Sequence, residues 1–439
     1  MAKLDAQKIV TAHLGNERSW TLDSYLAAGG YQALRRALEM GPEAVQAEVD
    51  AANIAGRGGA GFPAGRKWSM LRKAQPVYLV VNGDESEPAT FKDHMLIEQD
   101  PHQIIEGALI TAFAIGAAQV FLYCRGEFAL GIERMTAALN EAYEYGAVGR
   151  NVFGSEWSID AIVHPGAGAY ICGDETALLE SLEGKRGFPR IKPPYFPAAI
   201  GLYGAPTIVN NVETMSNMPW IVLNGGAAFA ELGLPTAAGT RIFAISGHVN
   251  RPGNYEVELG HNTYRDLLFD PALGGGIRDG RALKAFIPGG ASSFWFGPDK
   301  LDMPLDETKV KGEGGSMMGS GSVIAMSDTA CMVRAGWRLV KFFQRESCGQ
   351  CTPCREGSSW LEKIMYRIES GAGRMEDLDL LMDVCDNISP GVQWPSRWPP
   401  NMTTICPLGP SIPPPIVSSL GMFRDEYLTH IKDGACPYD

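Results

Sequence analysis

Cys348, Cys351 and Cys354 stand in the run Ser-Cys-Gly-Gln-Cys-Thr-Pro-Cys-Arg-Glu-Gly, spaced C-x-x-C-x-x-C. Two-residue spacers let one loop bring three thiolates around a compact iron–sulfur cube, and a [4Fe–4S] cube needs a fourth thiolate. Gly349 allows close backbone approach, and Pro353 prevents a straight helix through the loop. The fourth ligand must come from Cys124, Cys172, Cys331, Cys385, Cys406 or Cys436. Cys406 lies in Ile-Cys-Pro-Leu-Gly, and a ligand followed by proline recurs in cluster proteins. Cys385 falls inside a helical pattern and reads as a buried thiol, and the others default to small buried hydrophobes. Structural zinc is the competing use of the triad, but zinc sites usually draw on two separated cysteine pairs.

A second chemical region is the glycine-dense loop Gly56-Arg57-Gly58-Gly59-Ala60-Gly61. It matches G-x-G-x-x-G, but helix precedes it and no strand leads in, so it is not a Rossmann-type dinucleotide fingerprint. The glycines still free backbone N–H groups to face an anion, and Arg57, Arg66 and Lys67 add positive charge. A flexible surface turn is the plainer reading.

Acidic loops form a third region. Asn82-Gly83-Asp84-Glu85-Ser86-Glu87-Pro88 follows an apolar strand, and ligands of open α/β sheets bind outside the carboxyl ends of strands. Gly166-Ala167-Gly168-Ala169-Tyr170-Ile171-Cys172-Gly173-Asp174-Glu175-Thr176 follows another strand and opens a helix. Asn210-Asn211-Val212-Glu213-Thr214 is polar between apolar neighbours. Asp84, Glu85, Glu87, Asp174 and Glu175 could thus surround one pocket. Carboxylates accept bonds from ribose or ribityl hydroxyls and repel an extra 2′-phosphate. Metal binding or a solvated charge run would also account for them. For Asp174 and Glu175, so would the favourable field of a helix N-terminus.

These groups need elements to hold them. Tyr31–Glu39 and Pro42–Ile54 have helical spacing, split by Gly41-Pro42. Val77–Val81 is a continuous apolar run of strand length, suited to a parallel sheet covered on both faces. A helix from Asp100-Pro101 to about Ile115, a strand Gln119–Tyr123, a helix Glu127–Tyr145, a strand Trp157–His164 and a helix Asp174–Glu183 complete a β-α-β-α-β-α order. Short strands are expected at Arg241–Ser246, Tyr255–Leu259, Ala282–Ile287 and Ser322–Met326, with a short helix at Tyr264–Phe269. Helices return at Asp328–Gln344, Gly357–Ser370, Met375–Ile388 and within Pro415–Asp433. Ser389–Pro400, rich in Pro and Trp, reads as a loop.

The 439 residues, 45% apolar and 20% charged, make an ordinary globular composition. A net charge of −12 argues against a general nucleic-acid binder. The apolar run Ala108–Cys124 is read as helix then strand rather than a membrane span. Met1–Gly15 lacks the apolar core of a secretory signal. Nine cysteines without secretion point to metal, cofactor or buried thiols rather than disulfides.

The series Gly-Arg-Gly-Gly-Ala-Gly-Phe-Pro, Asn-Gly-Asp-Glu-Ser-Glu-Pro, Gly-Ala-Gly-Ala-Tyr-Ile-Cys-Gly-Asp-Glu-Thr, Pro-Thr-Ile-Val-Asn-Asn-Val-Glu-Thr and Cys-Gly-Gln-Cys-Thr-Pro-Cys-Arg-Glu-Gly occurs in this order. It resembles the NADH-binding flavoprotein subunit of respiratory complex I, from about Tyr31 to Ile431. The resemblance implies an α/β protein. A helical segment 1–55 would precede a Rossmann-like FMN domain with a parallel sheet at 56–235. A small α+β, β-grasp-like domain at 236–327 and a helical bundle at 328–439 carrying a [4Fe–4S] cluster would follow. NADH would give a hydride to FMN, which passes single electrons to the cluster.

By the same resemblance the cofactor-binding residues are Gly56, Arg57, Gly58, Gly59, Gly61, Lys67, Asn82, Asp84, Glu85, Ser86, Gly173, Asp174, Asn210, Asn211 and Thr214. NADH would use Phe62, Glu87, Glu175 and Lys192, with Glu87 and Glu175 in the catalytic role. The cluster ligands would be Cys348, Cys351, Cys354 and Cys406. The expected partners are NADH, a thioredoxin-like [2Fe–2S] subunit and the large iron–sulfur subunit of the peripheral arm. Nucleic acid is not a partner, and the chain would meet the membrane only through the complex, on its cytoplasmic side. The alternative is the NAD-linked diaphorase subunit of a soluble hydrogenase or formate dehydrogenase, which shares the module.

Three departures from the family pattern stand out. Asp174 replaces a glutamate and is one methylene shorter. Lys192-Pro193-Pro194-Tyr195-Phe196-Pro197 has an extra residue, so either Tyr195 or Phe196 would stack on the cofactor. The stretch Ile388–Cys406 is longer than usual, and Trp394 or Trp398 within it is expected to contact another subunit.

Overall fold

The computed structural model describes residues 7–396 and 401–438. The apolar run at 77–81 becomes strand β1 (Tyr78–Gly83), followed along the chain by β2 (Gln119–Cys124), β3 (Asp160–Pro165) and β4 (Thr207–Asn211). All pair in parallel, in the order β3-β2-β1-β4. Successive side chains of a strand point to opposite faces. Leu79 and Val81 accordingly enter one core, and Val80 enters another. Burial on both faces explains why this run shows no polar alternation.

The helix Pro101–Ile115 covers the first face. Asp100 caps it by accepting the Gln103 N–H at 3.4 Å, and Gly116, at φ 66°, ends it. A Cβ at Gly107 would meet the Met215 carbonyl at 1.9 Å, so glycine alone permits this helix to cross Val212–Ser216 so closely. The run 108–124 is therefore the end of a core helix followed by β2, as its composition suggests. No described helix is long and apolar enough to cross a membrane.

Strand β4 and the helices Ala64–Ser69 and Lys92–Gln99 go beyond the elements read from sequence. The polar stretch at 210–214 ends β4 and starts Val212–Ser216, where Asn211 accepts the Glu213 N–H at 3.0 Å. Strands β1, β2 and β3 step outward in one direction, whereas β4 lies on the other side of β1. The chain connections diverge between β1 and β4, and a crevice opens at such a switch point beyond the strands' carboxyl ends.

A second sheet contains β5 (Thr240–Gly247), β6 (Gly253–Glu258), β7 (Leu283–Ile287) and β8 (Ser322–Ser327), in the order β6-β5-β8-β7. Its central pair β5/β8 is parallel and the outer pairs are antiparallel. The helix Tyr264–Phe269 carries a capping box from Thr263 and Asp266. Buried Glu256 on β6 accepts the Ile9 N–H at 3.0 Å and the Thr11 N–H at 2.9 Å, tying the N-terminal segment to this sheet.

The helices Met332–Glu346, Thr352–Glu369, Glu376–Ile388, Leu408–Ser411, Pro413–Met422 and Arg424–Asp433 follow. The single final helix expected from sequence is instead two, broken at Phe423 with φ −129° and ψ 38°. Val333, Val340, Leu361 and Ile364 share one core with Val80, Phe121, Tyr123 and Val209. The helical region thus covers the second face of the parallel sheet.

Candidate functional site

Three loops meet at the carboxyl ends of β1 and β4. The loop after β1 is held to the 166–174 loop because Asn82 Nδ2 donates to the Gly173 carbonyl at 3.0 Å. The glycine loop reaches the same place: the Arg57 N–H donates to Thr214 Oγ1 at 2.9 Å. A Cβ on Gly58 would lie 3.0 Å from Asn211 Cβ, so a bare backbone is what allows this approach. Gly56 donates its N–H to the Phe62 carbonyl at 2.9 Å, closing the loop, and Gly59 and Gly61 take φ of 127° and 66°. Phe62 is exposed, with the Arg66 guanidinium 5.7 Å from its ring centre.

The Arg57 side chain corrects the charge expected for this loop. Its guanidinium is buried and donates to the carbonyls of Ala55 (2.8 Å), Ala238 (3.2 Å) and Thr240 (2.8 Å), away from any anion on the loop. Burial lowers its pKa to about 10. Its backbone N–H is taken by Thr214, so the positive charge expected of this loop falls to Arg66 and Lys67. Lys67 Nζ donates to the Val209 carbonyl at the end of β4 (2.9 Å) and pairs with Glu175 at 3.2 Å.

The five acids divide. Glu85 and Asp174 serve helix starts. Glu85 accepts the N–H groups of Lys92, Asp93 and His94, each at 2.9 Å. Asp174 accepts from Thr176 N (2.9 Å), Thr176 Oγ1 (2.6 Å) and Ala177 N (3.1 Å), capping Glu175–Leu182. The helix-terminus account therefore holds for Asp174, and it extends to Glu85.

Asp84, Glu87 and Glu175 cap no helix. Asp84 accepts the Ser86 hydroxyl at 2.8 Å, and burial raises its pKa to about 7. Glu87 accepts from Tyr170 OH (2.7 Å) and Ser292 N (2.7 Å), and desolvation raises its pKa too. Glu175 bridges Lys67 and Lys192, each at 3.2 Å. Burial disfavours its charge, but the two ammonium groups outweigh that and hold its pKa below the ordinary value. Tyr195 and Phe196 are both exposed.

Sequence reading missed the groups that hold these acids. Tyr170 and Ser292 position Glu87, and Arg125 donates to Ser86. Beneath Asn211, Lys92 forms a buried ion triad with Asp93 and Glu213, each at 2.8 Å, and Asn211 Nδ2 donates to Asp93 at 2.6 Å. A buried lysine followed by an acid in a helical pattern carries no local mark of this.

The cysteine loop lies in the adjoining helical region. Cys354 is buried, Cys348 and Cys351 are half-buried, and Cys406 is buried. The Ile405 N–H donates to Cys351 Sγ at 3.2 Å, which fixes the Cys406 segment on the triad. Burial, with Asp174, Cys348 and Cys354 nearby, pushes the Cys406 thiol up to about 12. Desolvation likewise raises Cys354 to about 11. Trp394 is half-buried and donates its indole N–H to the Trp295 carbonyl at 3.2 Å, packing on its own chain, while Trp398 lies outside the described residues.

Residues 49–220 match the family model for the Nuo51 FMN-binding domain, and residues 334–430 match that for the NADH-ubiquinone oxidoreductase-F iron-sulfur binding region. The chain is 46% identical over 440 residues to the F subunit of NADH-quinone oxidoreductase from Mycobacterium tuberculosis, covering 98% of this chain and 95% of that one. The chain belongs to this family of NADH-quinone oxidoreductase subunits. Its likeness to the corresponding protein of Streptomyces coelicolor is 46% over 433 residues, covering 98% and 92% of the two chains. Among solved structures it resembles an NAD+-reducing [NiFe]-hydrogenase in the H2-reduced state. There the TM-score is 0.81 at 29% identity, over 100% of this chain and 69% of that one. The lower identity makes the hydrogenase module the alternative and the NADH-quinone oxidoreductase family the assignment.

As a member of this family, the chain is an oxidoreductase and the NADH dehydrogenase module of complex I, with FMN and [4Fe–4S] as cofactors. The residues fit both groups. Asp84 Oδ1 is buried without a hydrogen-bond partner, a free acceptor for a ligand hydroxyl. A Cβ on Gly173 would sit 3.4 Å from the Asp84 carbonyl, so glycine keeps the gap between the loops open. The thiols of Cys348, Cys351, Cys354 and Cys406 are a donor set suited to iron–sulfur.

Proposed function

We propose that FMN and NADH occupy the crevice at the carboxyl ends of β1 and β4. The observation that carries this is the convergence there of the glycine loop, the loop after β1 and the Gly173 loop around the unpartnered Asp84 Oδ1. Backbone N–H groups of Gly58, Gly59 and Gly61, with Lys67, hold the phosphate, while Gly56 and Arg57, whose N–H groups bond Phe62 and Thr214, set the shape of the loop. Asn82, Asp84, Glu85, Ser86, Gly173, Asp174, Asn210, Asn211 and Thr214 hold or shape the ribityl and ring positions. Glu85 and Asp174 act there through the helices they cap. Phe62, Glu87, Glu175 and Lys192, with Tyr195 or Phe196, receive NADH.

When bound there, FMN would supply the conversion between the two-electron chemistry of NADH and one-electron transfer to the cluster. The chain orients the two rings and excludes water. Cys348, Cys351, Cys354 and Cys406 hold the cluster. The work divides among 1–55, 56–235, 236–327 and 328–439 as the sequence suggests. Electrons leave toward a thioredoxin-like [2Fe–2S] subunit and the large iron–sulfur subunit, on the cytoplasmic side of the membrane, which the chain meets only through the complex.

Asp84→Ala combined with Asn82→Ala should lower bound flavin, read from the fluorescence of released FMN. Glu87→Gln and Glu175→Gln should keep flavin and narrow the NADH/NADPH ratio in kcat/KM by roughly tenfold, because a 2′-phosphate then meets less negative charge. Unchanged flavin in the first variant, or an unchanged ratio in both others, would count against this site.

A further inference from the structure

Cys331, Glu369, His430 and Cys436 come from three separate segments of the chain, are all buried, and place their ligand atoms within 4.8 Å of one another. Cys331 caps the helix Met332–Glu346, and Glu369 ends Thr352–Glu369. His430 lies in the last turn of Arg424–Asp433, and Cys436 follows that helix. Cys331 Sγ lies 3.4 Å from His430 Nε2 and 3.7 Å from Glu369 Oε2, and His430 Nε2 lies 3.4 Å from Glu369 Oε2. A tetrahedral zinc ion, with bonds of about 2.3 Å to sulfur and about 2.0–2.1 Å to nitrogen or oxygen, sets its ligand atoms about 3.3–3.8 Å apart. The three separations fall within that range.

The surroundings are those of a ligand set. The Glu426 carbonyl, 2.7 Å from His430 Nδ1, can only accept, so Nδ1 carries a proton and Nε2 is the nitrogen turned to the other groups, where a metal would displace any proton it holds. The Arg334 N–H donates to Cys331 Sγ at 3.3 Å, and the Arg334 side chain pairs with the second oxygen of Glu369. Thiolate and carboxylate thus each have an outer partner, as metal ligands usually do.

The group is distinct from the iron–sulfur site. Cys354 and Glu369 lie at opposite ends of Thr352–Glu369, and fifteen residues of helix span about 22 Å. We propose that Cys331, Glu369, His430 and Cys436 bind one structural zinc ion. Two thiolates with imidazole and carboxylate suit zinc, and four protein ligands in a buried place leave no open position for catalysis. The ion would join the last helix and the segment after it to the two helices that flank the cysteine loop.

The test compares the unmodified complex with one carrying Cys436→Ser. Both are passed over chelating resin and analysed for zinc, iron and FMN. The variant should lose about one zinc per complex while iron and FMN stay unchanged. Equal zinc in the two, or a Cys331–Cys436 disulfide found by mass spectrometry in the unmodified protein, overturns the proposal. If the variant does not assemble, anomalous scattering at the zinc edge from crystals of the unmodified complex decides. A peak among the four residues is expected, and a lack of one means that they only share protons.

Discussion

At one end of the helix Thr352–Glu369 the thiols come from a single loop and one short downstream segment. At the other end Cys331 and Cys436 meet only because three segments of the chain pack in one register. The first site depends on local chain geometry, and the Ile405 N–H to Cys351 bond is the long-range closure that completes it. The second depends on the whole helical region being folded. Damage at the first should therefore be chemical, with the fold retained, whereas damage at the second should be mechanical, with electron transfer retained.

The largest expected effect tests the first half of that contrast. Cys406→Ser should abolish the [4Fe–4S] signal in electron paramagnetic resonance and bring NADH:quinone turnover to background. Cys385→Ser should keep the signal. Cys385 is fully buried in the helix Glu376–Ile388, with its thiol pKa raised by desolvation. A hydroxyl there loses about 1–3 kcal/mol of stability if it finds no partner. A cluster that survives in Cys406→Ser and disappears in Cys385→Ser would reverse the ligand assignment.

The same contrast between local and long-range supply explains what the sequence reveals. The triad is legible because its spacing is itself the geometry. β1 is legible because burial on both faces leaves an unbroken apolar run. β4 is not, since Thr207–Asn211 is short and ends in two asparagines, and only its pairing with β1 makes it a strand. The family resemblance supplied the site residues that local pattern left ambiguous. It could not tell that the Arg57 guanidinium turns inward onto three carbonyls, because those lie near residues 55 and 238–240. Nor could spacing reveal the Cys331 group, whose members span 331–436.

A smaller effect follows from Asp84. Burial raises its pKa from 3.8 to about 7, so the folded state favours the neutral carboxyl more than the unfolded chain does. Its contribution to stability is complete below the unfolded pKa and disappears as pH rises through about 7. Glu85, raised to about 7 chiefly by desolvation, adds to the same window. In flavin-free protein, Asp84→Asn should flatten the fall in Tm between about pH 4 and pH 7 without removing it, since Glu85 still titrates. An identical pH profile in the variant would mean that Asp84 is solvated in the folded protein, with Oδ1 bonded to water rather than buried without a partner.

The smallest effect separates the two kinds of acid in the crevice. Asp174 ends in a short side chain that accepts two backbone N–H groups and one hydroxyl at the start of Glu175–Leu182. One methylene fewer than the usual glutamate suits it to that cap, because N-cap preference favours Asp over longer acids. Asp174→Ala should cost about 1 kcal/mol, and Asp174→Asn should be close to neutral since its amide oxygen can still cap. Neither should change the NADH/NADPH ratio, whereas Glu175→Gln, one residue on, should. Glu175 is the group whose charge faces Lys67 and Lys192. A ratio that moves equally in Asp174→Asn and Glu175→Gln would show that the field of both acids reaches the nucleotide, and the division of the five carboxylates into caps and ligands would then fail.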